Sequence, residues 1–285
     1  MRIAVASGKG GTGKTLISTC LTRLWSDQGR PVTYVDADVE EPNGHLFLKP
    51  RVQMETRFTK RVPSLSSTPC SGCGKCQEIC AFHAILASKG SIIVFDELCH
   101  SCGACVLACP DQVLGEKDRE IGTICVGTAH NADFFSGRLD VGEAQVAPLT
   151  EGVVRLANSK EKIVIIDAPP GTSCSAIAAT RGADLLLLVT EPTPFGMHDL
   201  ELAVGMGRAL GCKLAAVINR ADLGDDKVGR YLDREGIPSL AEIPFDRVVA
   251  EAYAESCLPI HKSESFKETI TELGEKLFLM MGETP

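Results

Sequence analysis

The chain has 285 residues, of which 44% are hydrophobic, and it carries a formal net charge of −8 at pH 7. This size supports one large core or two unequal ones, and the lack of a basic block argues against nucleic acid or anionic membrane surfaces as partners. The sequence opens without a signal-peptide pattern and its apolar runs are too short to cross a bilayer, so we expect a cytoplasmic protein with no membrane insertion.

Short apolar runs alternate with helical patterns along most of the chain. The predicted strands, in order, are RIAVAS, PVTYVDAD, TICVG, KIVIIDA, DLLLLVT and KLAAVIN, with PSLAEIP as an edge strand. A helix with one apolar face follows the first strand, and a second apolar stripe lies near the chain end at Phe266, Ile270, Leu273 and Leu277. Repeated strand–helix units predict an α/β fold, with a mostly parallel sheet and helices on both faces.

The first predicted strand leads into a glycine-rich loop, G-K-G-G-T-G-K-T, at residues 8–15. Its spacing matches G-x-x-x-x-G-K-[ST], and it lies between a strand and an amphipathic helix, as a phosphate-binding loop requires. Loop N–H groups and the helix N-terminus would hold the phosphates, Lys14 would reach the β- and γ-phosphates, and Thr15 would bind Mg²⁺. The predicted contacts with ATP and Mg²⁺ are Gly8, Lys9, Gly10, Gly11, Thr12, Gly13, Lys14 and Thr15.

Two cysteine runs interrupt this pattern, and each follows C-x₂-C-x₂-C-x₃-C. Two such runs are typical of a bacterial ferredoxin with two [4Fe–4S] clusters, in which the fourth cysteine of each run binds the other cluster. The predicted ligands are Cys70, Cys73, Cys76 and Cys109 for cluster one, and Cys80, Cys99, Cys102 and Cys105 for cluster two. The first run has Ala81 where the second has Pro110. The alternatives are a zinc ribbon and structural thiols, although zinc sites typically use two separated CxxC pairs.

Strands of one type flank the cysteine runs on both sides, which indicates an insertion into one α/β domain. We therefore predict a discontinuous P-loop ATPase domain, residues 1–60 and 120–285, and a small inserted α+β ferredoxin domain, residues 61–119. The chain has 13 cysteines and no export signal, a combination that favours metal ligands over disulfides.

The loop K-G-G-T-G-K-T, with a lysine at position 9, resembles the deviant P-loop of the MinD/ParA superfamily. Further similar stretches are D-A-D-V-E-E-P-N (36–43), D-A-P-P-G-T (167–172), V-I-N-R-A-D (217–222) and E-I-P-F-D (242–246). Outside the cysteine segment, the resemblance covers nearly the whole chain. Together with the cysteine runs, it indicates superfamily ATPases that contain an inserted ferredoxin domain, which are related to Mrp-type iron–sulfur carriers and to the nitrogenase iron protein.

The resemblance implies roles for individual residues. Lys9 would reach across a dimer interface to the partner's nucleotide, and Asp38 would orient the attacking water. Asp36 would lie near Mg²⁺, and Asp167 would hold a metal-bound water. Asn219 would hydrogen-bond the adenine base, and Pro244 belongs to the loop that would cover the base. The residues expected to act in hydrolysis are Lys9, Lys14, Asp38 and Asp167.

The stretches at 36–43 and 167–172 resemble the two switch segments of the superfamily, and Cys174 lies just past the second. In the nitrogenase iron protein, a cysteine at about this offset ligates a cluster shared across the dimer, and Cys125 is the candidate here for the second ligand. The alternative is a small packed thiol without a ligand role. Cys20, Cys212 and Cys257 are expected to be inert.

Two functions remain compatible with the sequence. In the first, an ATPase couples its dimer and switch cycle to electron transfer, or to metallocofactor assembly on a partner protein, and works as a homodimer or as a heterodimer with a related ATPase. In the second, the chain is an iron–sulfur carrier that delivers clusters to apo-proteins; Mrp-type carriers use a C-x-x-C pair near the C-terminus, where this chain has only Cys257. A MinD-like positioning role fits less well, because the final stripe carries Glu268, Glu272 and Glu275 instead of a basic membrane-binding face.

Overall fold

The computed structural model of the chain describes residues 1–66, 69–157 and 162–282. The strands of these residues are β1 (Arg2–Ala6), β2 (Val32–Asp36), β3 (Arg51–Leu65), β4 (Ile85–Ser88), β5 (Ser91–Val94), β6 (Leu114–Ala129), β7 (Ala132–Leu139), β8 (Ile163–Asp167), β9 (Leu185–Thr190), β10 (Lys213–Asn219) and β11 (Ser239–Ile243). The helices are α1 (Lys14–Asp27), α2 (Gly44–Leu48), α3 (Lys75–Glu78), α4 (Ala104–Leu107), α5 (Ala147–Leu156), α6 (Cys174–Thr180), α7 (Pro194–Ala209), α8 (Lys227–Glu235), α9 (Arg247–Ala254) and α10 (Glu264–Met281).

Within the described residues, nine strands form one sheet in the order β11-β10-β9-β1-β8-β2-β7-β6-β3. Every pair from β11 to β7 is parallel, whereas β6 runs antiparallel to both β7 and β3. The predicted mostly parallel sheet is therefore confirmed, and PSLAEIP forms the predicted edge strand, β11. Because the strands run in parallel, their carboxyl ends meet at one edge of the sheet, where binding sites of this architecture are usually found.

Two hydrophobic layers cover the sheet, one on each face. Helices α1, α9 and α10 pack on one face, and α5, α6, α7 and α8 pack on the other. The apolar stripe predicted near the chain end lies on α10 and is buried at Phe266, Ile270, Leu273 and Leu277. This helix is thus part of the core, as predicted. In the described parts of the chain, we find no helix long and apolar enough to span a membrane.

The strands β3 and β6 form a long antiparallel ribbon at the edge of the sheet. The chain between these two strands carries both cysteine runs and lies at the end of the ribbon; we call it the cysteine module. The sequence predicts only TICVG within β6, and it misses β3 and β7. The residues of β3 are mostly exposed, so this strand lacks the apolar run of a buried one. The predicted domain boundaries fall inside the ribbon, where Lys60 pairs with Arg119 in register, and backbone pairing continues across them.

The two cysteine runs fold alike. Each contains a one-turn helix preceded by a glycine with positive φ: Gly74 (φ 78°) before α3 and Gly103 (φ 69°) before α4. The hairpin formed by β4 and β5 lies between the two runs. Because left-handed backbone favours glycine, these positions allow the tight wrap that closely spaced cysteines need.

Close packing of α5 on β3 provides a test of how the ribbon is attached to the core. A Cβ added at Gly152 would lie 2.4 Å from the Phe58 ring. We expect Gly152→Ala to lower the free energy of unfolding by about 1–3 kcal/mol, because overpacking exceeds the helix-propensity gain of alanine. Gly205→Ala on α7, where no described heavy atom lies within 4 Å of the added Cβ, is the control and should be neutral or stabilising. Urea unfolding measures both, and equal stability of the two variants would contradict this packing.

Candidate nucleotide site and cysteine module

The glycine-rich loop connects β1 to α1 at the carboxyl edge of the parallel strands. Gly13 has φ +103°, and a Cβ there would lie 2.6 Å from Asn219 Nδ2. At Gly8, a Cβ would lie 2.2 Å from the Asp199 carbonyl oxygen. Both positions therefore require glycine, because the loop backbone lies close to its neighbours at these two points.

A cleft of about 350 Å³ opens beside this loop. The structure brings together predicted residues from separate segments to line it: Gly10, Gly11, Gly13, Lys14, Thr15, Asp38, Asn219 and Pro244. The cleft is also lined by residues that the sequence did not predict, among them Glu41, Asn43, Arg220, Phe245 and Tyr253. The volume lies in the range of sites that bind small molecules and cofactors.

Two buried carboxylates lie beneath the cleft. Asp36 and Asp167 are each 1% exposed and face each other in register at the ends of β2 and β8. Burial raises the pKa of both, and the Asp167 charge raises that of Asp36 further. Among the described residues, no hydrogen-bond donor reaches Asp36 Oδ1 or Asp167 Oδ1. A buried carboxylate oxygen without a partner is costly, so this pair suits a divalent cation such as Mg²⁺.

The other oxygen of each carboxylate is held by a residue that the sequence analysis missed. The Tyr34 hydroxyl donates to Asp167 Oδ2 at 3.0 Å, and the Gly44 N–H donates to Asp36 Oδ2 at 2.8 Å. A Cβ at position 44 would lie 2.1 Å from the Tyr34 hydroxyl, so only glycine fits there. Alternation along β2 places Tyr34 on the same side as Asp36, which is the signal that could have identified it.

Lys14 is 7% exposed and lies close to these acids. Burial lowers its pKa, while the charges of Asp167 and Asp38 oppose that shift. The first residue of α1 therefore places an ammonium group among carboxylates at the floor of the cleft.

Asn219 holds the glycine-rich loop in place. Its Nδ2 donates to the Thr12 carbonyl at 2.8 Å, and its Oδ1 accepts from the Arg220 N–H at 3.0 Å. The same side chain lines the cleft, so a contact with a bound base, as the sequence predicts, stays compatible with this position.

Lys9 lies beside a buried acid of its own chain. Its Nζ is 3.3 Å from Glu191 Oε2, and Arg220 donates to Glu191 Oε1 at 2.6 Å. The side chain of Lys9 is 31% exposed, whereas that of Glu191 is 9% exposed. Glu191 thus positions Lys9 at the rim of the loop, and the role across a dimer interface stays a prediction.

The titration of Asp38 gives a testable consequence. Burial raises its pKa to about 6, although the Glu41 N–H, 3.4 Å from Oδ1, opposes this shift. From about pH 4 up to this pKa, the folded chain keeps a proton that the unfolded chain releases, so stability falls as the pH rises. We expect Asp38→Asn to raise the free energy of unfolding of the nucleotide-free chain by on the order of 1–2 kcal/mol near neutral pH, and to abolish ATP hydrolysis.

Thermal unfolding of this variant near neutral pH and near the unfolded-state pKa of aspartate tests the expectation. The gain should largely vanish at the lower pH, where Asp38 is protonated in the folded wild-type chain and about half protonated in the unfolded chain. Glu40→Gln changes an exposed neighbour and is the control. A gain that is the same at both values would contradict the assigned cause.

The predicted ligands of cluster two lie around one cavity. Its lining includes Cys99, Cys102 and Cys105 from the second run and Cys80 from the first. Backbone N–H groups donate to the Sγ atoms of Cys70, Cys80 and Cys99 at 3.3–3.4 Å. Within the described ranges, no three His, Cys, Asp or Glu side chains converge in a preformed metal-ligand arrangement. The ligand assignments therefore stay predictions.

Two of the predicted ligands of cluster one, Cys76 and Cys109, pack in a small core together with Cys80 and Cys105 of cluster two. Cys76 is buried against Ile85 and Leu114, and Cys109 packs on the same small core. Burial, and then the nearby Cys70 and Cys73 thiolates, raise the pKa of Cys76. A bound metal ion would oppose this shift at Cys76, because a metal lowers the pKa of a coordinating thiol.

The remaining cysteines are spread over the ATPase sheet and its helices. Cys174 begins α6 and is exposed, and it lines a groove with Arg155 and Arg181. Cys125 lies on β6, with its Sγ 3.6 Å from Glu55 Oε1. Cys20 is fully buried on α1, and burial raises its pKa to about 12, in agreement with an inert thiol.

Comparison with known proteins gives related chains over nearly the whole length. The chain is 30% identical to MJ0579 of Methanocaldococcus jannaschii, a protein of uncharacterised function, over 277 residues that cover 93% of this chain and 91% of the relative. It is 28% identical to the carbon monoxide dehydrogenase accessory protein CooC of Rhodospirillum rubrum, covering 88% and 86%. It is 24% identical to an iron–sulfur cluster carrier protein of Pyrococcus abyssi, covering 99% and 88%.

The fold is also found among solved structures. The septum site-determining protein MinD of Pyrococcus horikoshii, determined with Mg-ADP, superimposes with a TM-score of 0.61 at 19% identity, covering 99% of this chain and 97% of MinD. Residues 3–260 match the family described as the CobQ/CobB/MinD/ParA nucleotide binding domain. The chain therefore belongs to this family and is a P-loop ATPase of the MinD/ParA type.

Proposed function

We propose that this ATPase controls a two-cluster iron–sulfur module through its nucleotide cycle, and that it serves electron transfer or metallocofactor assembly on a partner protein. One observation carries the proposal. A continuous two-stranded ribbon, β3 and β6, joins the ATPase sheet to a cavity lined by cysteines from both runs. A shared ribbon can transmit movement between the two parts, and residues 61–119 would be the inserted ferredoxin domain.

The ATPase half uses the residues around the cleft. Loop N–H groups and Lys14 would hold the phosphates of ATP, and Asp38 would orient the attacking water. Thr15, Asp36 and Asp167 would hold Mg²⁺, directly or through water, and the unpartnered oxygens of the two buried acids support this assignment. Bound Mg²⁺ would neutralise charge on the phosphates. Lys9 would complete the site of a partner ATPase after leaving Glu191, in a homodimer or a heterodimer.

The cysteine half would hold two [4Fe–4S] clusters, which supply one-electron transfer when bound. Cys80 on the cavity wall with Cys99, Cys102 and Cys105 supports the crossed assignment of cluster two. Three Sγ atoms already accept backbone N–H groups, and such hydrogen bonds to sulfur are among the features that set cluster potentials. Two runs of the pattern C-x₂-C-x₂-C-x₃-C fit iron–sulfur clusters better than zinc, because zinc sites typically use two separated CxxC pairs.

The relatives support a role with metal clusters. One is named as an accessory protein of carbon monoxide dehydrogenase, and another as an iron–sulfur cluster carrier. The carrier function is the second candidate, and it is favoured by the similarity to the iron–sulfur cluster carrier protein of Pyrococcus abyssi. The single Cys257 in the place of a C-x-x-C pair, and the four dedicated thiols proposed for each cluster, favour resident clusters instead.

Anaerobic purification followed by iron analysis and an ATPase assay tests the proposal. We expect about eight iron atoms per chain and Mg-dependent ATP hydrolysis, and about ten iron atoms would add a site shared through Cys174. Zinc in place of iron would overturn the cluster assignment. Incubation with an apo-ferredoxin separates the two functions, because resident clusters stay on the chain whereas a carrier loses iron to the acceptor.

A further inference from the structure

A buried ionic cluster lies where the ATPase sheet meets the cysteine module. The side chains of Lys60 on β3 and Glu143 are 2% and 3% exposed, with Nζ 3.2 Å from Oε1. Arg119 on β6 donates to Glu143 Oε2 at 2.5 Å. Lysine and glutamate are almost never buried to this extent unless they are paired, so the fold holds these groups in fixed positions.

Arg119 contacts Asp96 and Glu97 of the cysteine module, and two further contacts lie at the start of the second cysteine run. Lys60 Nζ donates to the Cys99 carbonyl at 3.1 Å. Gln145 Nε2 lies 3.2 Å from Nε2 of His100, whose ring stacks on Phe82 with a centroid separation of 3.6 Å. The first contact is with the backbone of Cys99, which is the first cysteine of the second run, and the second contact is with its neighbour His100.

Glu143 and Gln145 belong to the 140–146 loop, which leads from β7 into α5. Glu143 Oε1 also accepts the Gln145 N–H at 2.9 Å, so the acid fixes the shape of this loop. Helix α5 packs against α6, which begins directly after the D-A-P-P-G-T segment beside Asp167. Helices α5 and α6 thus connect the loop to the D-A-P-P-G-T segment, and the loop is also in direct contact with the cysteine module.

We propose that the 140–146 loop links nucleotide state to the Cys99 end of the cysteine module, and that Glu143 is the positioning residue of this link. The inference rests on the proposed function, since it assumes that the module responds to ATP. Movement of α6 on nucleotide binding shifts α5 and the loop, and the loop carries Lys60 and His100 with it. Glu143 touches neither nucleotide nor cysteine, and it acts by holding Lys60, Arg119 and Gln145 together.

Hydrogen–deuterium exchange of the anaerobically purified full chain tests the link, with and without Mg-ATPγS. In the wild-type chain, we expect nucleotide to change the exchange of residues 96–104. Glu143→Gln should remove more than half of this change, while ATP affinity and hydrolysis stay near wild type. Glu97→Gln is the matched control, because Glu97 pairs with the same Arg119 at the surface, 3.5 Å away. This control should keep the full response.

Gln145→Ala breaks the contact with His100 without leaving a buried charge, so it tests the link even where Glu143→Gln lowers stability. It should also weaken the response of residues 96–104. An unchanged response in both variants, or no response in the wild-type chain, would overturn the link. Iron content and hydrolysis, measured on the same samples, report on the proposed function separately, since the exchange experiment requires only bound nucleotide.

Discussion

Lys14→Met should lower the rate of ATP hydrolysis by roughly 10²- to 10³-fold, the usual cost of removing one group that stabilises transition-state charge. Lys14 is buried at the floor of the cleft, where Asp167 and Asp38 favour its charged form. A preorganised ammonium in a site shielded from water interacts strongly with phosphate oxygens, and no other described lysine lines this cleft.

The assay compares steady-state phosphate release of the wild-type and variant chains at saturating MgATP. Lys267→Met is the control, since Lys267 is exposed on α10 and its one ion pair among the described residues is with Glu264 at the surface. It should hydrolyse ATP at the wild-type rate. Because the variant also removes a buried cation that interacts with Asp167 and Asp38, its fold should be checked by circular dichroism. Hydrolysis by Lys14→Met within a few-fold of wild type would place the phosphate site elsewhere.

The crossed ligand assignment predicts opposite iron contents for two double variants that share one substitution. Cys80→Ser with Cys99→Ser removes two ligands of cluster two, so about four iron atoms per chain should remain. Cys76→Ser with Cys80→Ser removes one ligand from each cluster, and iron should fall towards zero. The physical basis is that Cys80, from the first run, lines one cavity with Cys99, Cys102 and Cys105 of the second run.

If each run held its own cluster, the two iron contents would be reversed. About four iron atoms would then remain in the variant lacking Cys76 and Cys80, and iron would fall towards zero in the variant lacking Cys80 and Cys99. Iron analysis after anaerobic purification, together with the EPR spectrum of the reduced protein, distinguishes the two patterns. Cys257→Ser is the control and should keep the full iron content, because this thiol lies outside the module. ATP hydrolysis by the double variants reports whether the ATPase sheet has folded.

The nucleotide cleft could be predicted from the sequence because its parts follow buried strands. Asp36 and Asp167 each end an apolar strand, and parallel pairing brings strand ends to one edge, where the two acids face each other. Asn219 follows the same rule at the end of β10. The spacing of the glycine-rich loop then identifies the ligand, since few other functions require that pattern.

Strand β7 and the ionic cluster were beyond prediction for different physical reasons. In β7, Gly137 interrupts the strand pattern, although a Cβ there would lie 2.6 Å from Val39, so the packing requires glycine. The turn between β6 and β7 has positive φ at both His130 and Asn131. A two-residue hairpin turn of this kind is recognised in a sequence by pairs such as Asn-Gly, so His-Asn gives only a weak signal. From the sequence alone, Lys60 would be placed at the surface. Its partner Glu143 lies 83 positions away in the chain, so no local pattern shows that the two charges are paired.

An EPR-monitored redox titration of the anaerobically purified protein, with and without MgATP, tests the central claim most directly. Control of the module by nucleotide predicts that MgATP shifts the potential of at least one cluster by about 60 mV or more, a tenfold change in a one-electron equilibrium. Lys14→Met should show no such shift if it no longer binds nucleotide productively. Identical potentials with and without MgATP, in protein that binds and hydrolyses it, would contradict coupling between the ATPase and the cysteine module.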